Sequence, residues 1–215
     1  MKVGILISGR GSNLKSLIDA CAAPGFPAGI ALVISNRPDA PGLGIARAAG
    51  IPALAIDHKL FATREAFDAE LDAALRRAGV ELICNAGFMR ILSDGFVEAW
   101  RDRQLNIHPS LLPAFKGLKV HERVLESGTK ITGCTVHIVR PAMDEGPIVA
   151  QAAVPVLPGD TVETLSNRVL AAEHKLYPLA LRLVAGGHVR IEGERAVIEG
   201  EAAQDAAPLF VPPAR

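Results

Sequence analysis

Two hydrophobic rhythms run along this chain. Short apolar, β-branched runs at Val3–Ile7, Gly29–Ile34 and Glu81–Asn85, with a shorter one at Leu54–Ile56, predict buried parallel strands. Between them apolar residues return at helical spacing: Leu14, Leu17, Ile18 and Cys21 mark one helix, Leu43–Ala49 a second, and Thr63–Ala78 a third with Phe67, Leu71 and Leu75 inward. Gly50-Ile51-Pro52 separates the second helix from the third strand. The repeated β-α order predicts a parallel sheet with right-handed crossovers.

The second half changes character. After a short helix at Gly95–Trp100 and a fifth strand at Leu105–His108, Leu118–Ser127 predicts another helix. Ile131–Val139 and Ile148–Val156 then alternate on two faces and are most simply antiparallel, joined by the turn-rich loop Arg140–Pro147. Asp160 is the expected N-cap of a long helix, with Glu163 completing a capping-box pattern. Val162, Leu165, Val169, Ala172 and Leu176 form its inner stripe, Pro178 is a candidate kink, and Leu179–Val184 continues it. His188–Glu192 and Ala196–Glu199 predict a terminal hairpin, and the tail from Ala202 is expected to be loose at its end. The expected fold is α/β, a Rossmann-like three-layer sandwich whose mostly parallel sheet gains antiparallel strands in the C-terminal half. Residues 1–186 form the catalytic domain in this reading, and 187–215 an appendage of the same domain.

Composition narrows the class. The chain of 215 residues is 49% hydrophobic with a formal net charge of zero, which fits a folded globular protein and argues against a nucleic-acid binder. A small anionic ligand remains compatible, because one backbone nest suffices for a phosphate. Cys21, Cys84 and Cys134 have no CxxC spacing and read as reduced, mostly buried thiols of a cytoplasmic protein. The start, Met1–Ile7, is too short to read as a signal peptide, so none is expected, and no uninterrupted apolar run reaches membrane-spanning length.

The candidate chemistry gathers around Leu105–Gly117, LNIHPSLLPAFKG. Asn106 and His108 alternate with Leu105 and Ile107, so on a strand both polar side chains share one face. Pro109 and Pro113 stiffen the following loop, at the strand end where open α/β sheets place their chemistry. His108 can carry protons near neutral pH, Asn106 offers an uncharged donor, and Asp144 can orient the imidazole if its loop folds over the same strand end. Such a trio can stabilise an oxyanion and move a proton between nitrogens. The alternatives are a packed histidine at His108 and a loop aspartate bonded to its own backbone at Asp144. Ser110 is a formal nucleophile, but Pro109 and the missing GxSxG elbow disfavour it. A zinc site from His108, Asp144 and His137 is rejected because His137 lies on the adjoining strand, so no metal is expected.

Elsewhere the readings stay double. Ser8-Gly9-Arg10-Gly11-Ser12-Asn13 is either an anion-binding turn, capped by Ser12 or Asn13, or an ordinary tight turn. Arg64, in the first turn of its helix, either meets an incoming carboxylate or is simply solvated. Phe88, Met89, Ile91 and Leu92 suit a cleft wall and core packing equally. Glu173, at the edge of the packed face, reaches either a ligand or a structural ion-pair partner.

Taken together, ISGRGSNLKSLIDA near the start, FATREAF (61–67), AGFMRIL (86–92), NIHPSLLPAFKG (106–117), the Asp144-Glu145-Gly146-Pro147 loop, Glu173-His174 and Tyr177-Pro178 resemble the phosphoribosylglycinamide formyltransferases over nearly the whole chain. These are folate-dependent enzymes of purine synthesis, also called glycinamide ribonucleotide transformylases. The resemblance implies that Gly11, Ser12 and Asn13 cradle the phosphate of the glycinamide ribonucleotide and that Glu173 binds its ribose or glycinamide part. It places Arg64 near the folate and lines the pterin pocket with Met89, Arg90, Ile91 and Leu92 and with Arg140, Pro141, Ala142, Met143 and Asp144. It assigns Asn106, His108 and Asp144 to catalysis of formyl transfer from 10-formyltetrahydrofolate, a cosubstrate, to the ribonucleotide amine. The implied partners are these two small molecules, with no nucleic acid and no membrane, in a monomer or homodimer. Two features depart from the family pattern: Asn85 stands where an aliphatic residue is common, and Arg140-Pro141-Ala142 lacks the usual acidic residues.

Neighbouring readings are a methionyl-tRNA formyltransferase, for whose basic RNA-binding domain this neutral chain has no room, and a formyltetrahydrofolate deformylase, whose usual amino-terminal regulatory domain is not expected ahead of the first strand. A nucleotide-binding regulatory module without turnover is the non-enzyme alternative; joint retention of the phosphate turn, Asn106, His108 and Asp144 speaks against it.

Overall fold

The computed structural model describes residues 1–199 and Val211. The tail expected to be loose from Ala202 lies, Val211 apart, outside the described residues. Strands β1 (Lys2–Ile7), β2 (Gly29–Ser35), β3 (Ala53–Ala55), β4 (Leu82–Asn85), β5 (Gln104–His108), β6 (Ile131–Ile138) and β7 (Ile148–Pro155) form one sheet in the order β3-β2-β1-β4-β5-β6-β7. Pairings from β3 through β5 are parallel, whereas β5–β6 and β6–β7 are antiparallel. Helices α1 (Ser12–Cys21), α2 (Pro41–Ala48), α3 (Arg64–Arg77), α4 (Asp94–Ala99), α5 (Val120–Ser127) and α6 (Val162–Ala185) flank it. Strands β8 (Val189–Glu192) and β9 (Arg195–Ile198) form the terminal hairpin, with Val189, Ile191 and Ala196 packed against the main core.

The period-two alternation of the strands builds the three layers. Val3, Ile5 and Ile7 of β1, Val33 of β2, Cys84 of β4 and Leu105 and Ile107 of β5 pack with Leu14, Leu17, Val169 and Tyr177 on one side. Leu6, Ile34 and Ile83 point the other way, toward Phe67, Leu71 and Leu75 of α3, Phe96 of α4 and Trp100 just after it. Strand order reverses between β2 and β4 around β1, so the C-terminal ends of β1 and β4 open a crevice at a topological switch point.

Two local expectations are corrected. The N-cap of α6 is Thr161, not Asp160, and its capping box closes on Thr164 rather than Glu163. Asp160 instead holds Arg168 at 2.7 Å and 2.8 Å, and that guanidinium keeps its carboxyl well below the usual range. Helix α1 is capped by Gly11, in the left-handed region at φ 80°, without a side-chain bond from Ser12 or Asn13. Only glycine serves there, since a Cβ on Gly11 would stand 2.8 Å from the Gly42 Cα at the start of α2. Helix α6 continues through Pro178 to Ala185. Asn85 is buried, and its Oδ1 accepts from Gln104 Nε2 at 3.2 Å, which satisfies a polar group placed where an aliphatic one is common.

Candidate functional site

Strand β5 presents Leu105 and Ile107 to the core, which leaves Asn106 and His108 on its other face. Antiparallel pairing sets Asn106 opposite His137 and His108 opposite Thr135. The β6–β7 loop folds back tightly at Gly146, where a Cβ would meet the Ile138 carbonyl at 1.7 Å, and this return carries Asp144 to the end of β5. Asp144 Oδ2 lies 3.4 Å from His108 Nδ1, an ion-pair distance, and accepts from the Gly117 N–H at 2.8 Å. On the far side of the ring, His108 Nε2 donates to the Phe115 carbonyl at 3.0 Å. Both ring nitrogens therefore face oxygens, the Asp144 carboxylate on one side and the Phe115 carbonyl on the other. Phe115 and Asp144 each adopt left-handed backbone, φ 54° and 56°, so the loop geometry that aims their oxygens at His108 is locally costly.

His137, rejected above as a zinc ligand, lies directly against Asn106. Its Nδ1 donates to the Ile138 carbonyl at 3.0 Å, so Nε2 is left as an acceptor for Asn106 Nδ2 at 3.2 Å. Burial holds the ring below the usual histidine range, in its neutral form, although the Ile138 carbonyl and Asp144 oppose that shift. His137 thereby fixes which end of the Asn106 amide is the nitrogen and leaves a second Nδ2 hydrogen free for a ligand. Its Nε2 also lies 3.8 Å from Asp144 Oδ1. The sequence signal was present in the alternation of β6; the missing information was the register that pairs 106 with 137. Among the described residues no group of three or more His, Cys, Asp or Glu side chains is placed to hold a metal ion.

Gly11, Ser12, Asn13 and Glu173 come together at the N-terminus of α1. The first helical bond, Lys15 N–H to the Gly11 carbonyl at 2.9 Å, leaves the N–H groups of Ser12, Asn13 and Leu14 outside the ladder and facing outward. Asn13 Nδ2 donates to Glu173 Oε2 at 2.7 Å, while the buried Asn13 Oδ1 has no partner among the described residues. Glu173 sits in the middle of the buried stripe of α6, between Val169 and Leu176, not at its edge, and its partner is an amide rather than an ion-pair cation. Burial pushes its carboxyl above the ordinary range despite the Asn13 bond.

The wall residues divide. Met89 and Ile91 are 68% and 61% exposed, Leu92 packs into the core between α3 and α4, and the Arg90 guanidinium lies 5.9 Å over the Phe67 ring. Pro141, Ala142 and Met143 are exposed. Arg140 is corrected: its guanidinium is turned into ion pairs with Asp102 at 2.6 Å and Glu194 at 2.8 Å, so it braces the loop. Arg64 starts α3 behind the Thr63 cap, half exposed, with Glu65 at 3.6 Å as its ion-pair partner. Beside Asp144 opens a cleft of about 240 Å³, lined by Leu112, Pro113, Lys116, Glu145, Gly146 and Ile148.

Comparison with known proteins agrees with this architecture. The family model described as formyl transferase matches residues 1–181. Phosphoribosylglycinamide formyltransferase of Escherichia coli is 41% identical over 94% of this chain and 95% of its own length. The human trifunctional purine biosynthetic protein adenosine-3 is 53% identical over 88% of this chain, which spans only 19% of that longer protein. A crystal structure of glycinamide ribonucleotide transformylase 1 from Symbiobacterium toebii superposes with a TM-score of 0.90 at 52% identity, covering 92% of this chain and 93% of that one. With a family match over most of its length and relatives of equal size, this chain belongs to the formyl transferase family.

Proposed function

We infer that the chain transfers the formyl group of 10-formyltetrahydrofolate to the amine of N1-(5-phospho-D-ribosyl)glycinamide, giving the N-formyl ribonucleotide and tetrahydrofolate in de novo purine synthesis. The observation that carries this reading is the convergence of Asn106, His108 and Asp144 at the end of β5, in one sheet with an anion-ready helix start after β1. Support comes from the E. coli enzyme, which this chain matches at 41% identity over nearly equal lengths.

In this mechanism Ser12, Asn13 and the free N–H groups of α1 hold the phosphate, and Glu173 holds the ribose or glycinamide portion. The exposed apolar groups of Met89 and Ile91 face the pterin, together with Arg90 and residues 141–144, while buried Leu92 and ion-paired Arg140 anchor these two segments, and Arg64 lies toward the folate's carboxylate end. The amine attacks the formyl carbon, a C–N bond forms, and the carbonyl oxygen takes up negative charge. The free Nδ2 hydrogen of Asn106 donates to that oxyanion, and protonated His108 beside it stabilises the charge. Collapse breaks the bond to the folate N10, which gains a proton as the former amine loses one, and Asp144 supports His108 through that transfer.

Three free thiols at Cys21, Cys84 and Cys134 fit a reducing compartment, and the cytoplasm is the proposed location. Asn106, His108, Asp144, Asn13 and Glu173 all come from one chain, so a monomer and a homodimer both carry a complete site. Residues 187–199 are best treated as part of the same domain, given the hairpin's apolar contacts with the main core. The test of the mechanism is His108→Ala: the rate at saturating substrates is expected to fall ~10²- to 10⁴-fold, the usual worth of acid–base assistance. Near-wild-type turnover would reject the assignment.

A further inference from the structure

We propose that Ser8 is a positioning residue that latches the folate-lining turn to the phosphate turn, so that one hydroxyl sets the placement of the two substrates relative to each other. The proposal rests on the formyl-transfer reading above. Ser8 directly follows β1 and is 5% exposed. Its backbone N–H donates to the Gly87 carbonyl at 3.1 Å, and its hydroxyl oxygen accepts from the Met89 N–H at 2.7 Å. Both ends of the turn after β4 are thus held by a single residue.

The hydroxyl proton is also placed. Asn36 Oδ1 receives it at 2.5 Å, from a side chain only 3% exposed beyond the end of β2. Asn36 is held in turn, because its carbonyl accepts from His58 Nδ1 at 2.9 Å. A ring nitrogen that donates there has no lone pair to offer, so the 3.2 Å approach of Asn36 Nδ2 to the same atom is a contact rather than a second bond. The polarised relay runs from Met89 N–H to the Ser8 hydroxyl to Asn36 Oδ1 and ties together three strand ends at the switch point.

The turn needs this latch, since the Met89 side chain is 68% exposed and supplies little packing to hold its backbone. On its other side Ser8 leads into Gly9, whose carbonyl accepts from the Gly42 N–H at 3.1 Å, and then into Gly11, Ser12 and Asn13. A shift at Ser8 therefore moves the folate wall relative to the phosphate turn, and a misplaced donor carbon loses the near-attack geometry on which transfer depends.

The experiment is steady-state kinetics of Ser8→Ala, Asn36→Ala and the double variant with both substrates varied, alongside titration of each protein with the glycinamide ribonucleotide alone and urea unfolding. Each single variant is expected to raise the KM for 10-formyltetrahydrofolate ~10-fold, about what one lost buried hydrogen bond supplies. Ribonucleotide affinity is expected to stay within ~2-fold, and the double variant to be no worse than either single, as members of one relay are not additive. Ser8→Thr, which keeps the hydroxyl, is expected to restore the folate KM. An unchanged folate KM in Ser8→Ala, or an equal rise in both ligands' constants, overturns the proposal; if Ser8→Ala does not fold, Asn36→Ala decides by the same criterion. Wild-type protein without amine-dependent folate turnover contradicts the formyl-transfer reading itself, an outcome separate from normal turnover with an unchanged folate KM.

Discussion

Asn106 can stabilise an oxyanion only if its nitrogen, not its oxygen, faces the reacting carbon, and His137 is what decides this. The Ile138 carbonyl fixes the ring's tautomer, the bare Nε2 takes one Asn106 hydrogen, and the other remains for the substrate. Replacing His137 by Ala is expected to lower kcat ~10-fold or more, since one orienting bond is lost and the amide is free to flip. Ribonucleotide affinity should be retained; a weakened titration with an unaltered kcat would assign His137 to binding instead. Glu173 shows the opposite economy. Burial raises its carboxyl in the folded chain above its unfolded value, so its contribution to stability is complete at low pH, where both states are neutral. As pH rises from about 4 toward neutrality, the unfolded carboxyl ionises first and stability is lost until the folded group follows. Urea unfolding of Glu173→Gln against wild type should therefore show the variant gaining relative stability across that window while binding the ribonucleotide less tightly. A stability difference that does not change with pH would contradict the buried-carboxylate account.

At the scale of elements, the strands and helices were legible because burial has a period: Val3, Ile5 and Ile7 on one face of β1 and Leu6 on the other follow directly from alternation. The common face of Asn106 and His108 was readable for the same reason. What one-dimensional pattern does not encode is pairing register and loop trajectory. His137 was readable as belonging to the adjoining strand, but only the antiparallel register makes it the direct neighbour of Asn106, 31 positions away in the chain. The resemblance placed Arg140 among pocket-lining residues, and only the positions of Asp102 and Glu194 reveal it as a brace. Asp160 has good capping chemistry, but Thr161 and Thr164 satisfy each other's backbone donors one residue later, which frees Asp160 for Arg168. Glu173 moved from the edge to the middle of its stripe for a related reason: the buried line of α6 runs Leu165, Val169, Glu173 and Tyr177, four residues apart. The sequence pattern counts a carboxylate as polar, whereas the fold accommodates it beside Asn13.

The whole molecule is organised by its switch point. Strand reversal around β1 brings the phosphate turn, the wall after β4 and the end of β5 to one edge of a parallel sheet, and the antiparallel extension β6–β7 adds the loop that supplies Asp144. The match to the E. coli enzyme over nearly equal lengths, and to a domain-sized fifth of the human trifunctional protein, shows this unit occurring both as most of a protein and as one part of a longer one. No helix among the described residues is long and apolar enough to cross a membrane. The central claim, that this edge joins an amine to a folate-borne formyl group, is tested most directly by following the formyl carbon itself. With 10-formyltetrahydrofolate labelled with carbon-13 in the formyl group and glycinamide ribonucleotide as acceptor, the account predicts the label in the N-formyl ribonucleotide, one for each tetrahydrofolate released, and no folate turnover without the acceptor. Label recovered as free formate, at a rate indifferent to the ribonucleotide, would contradict it.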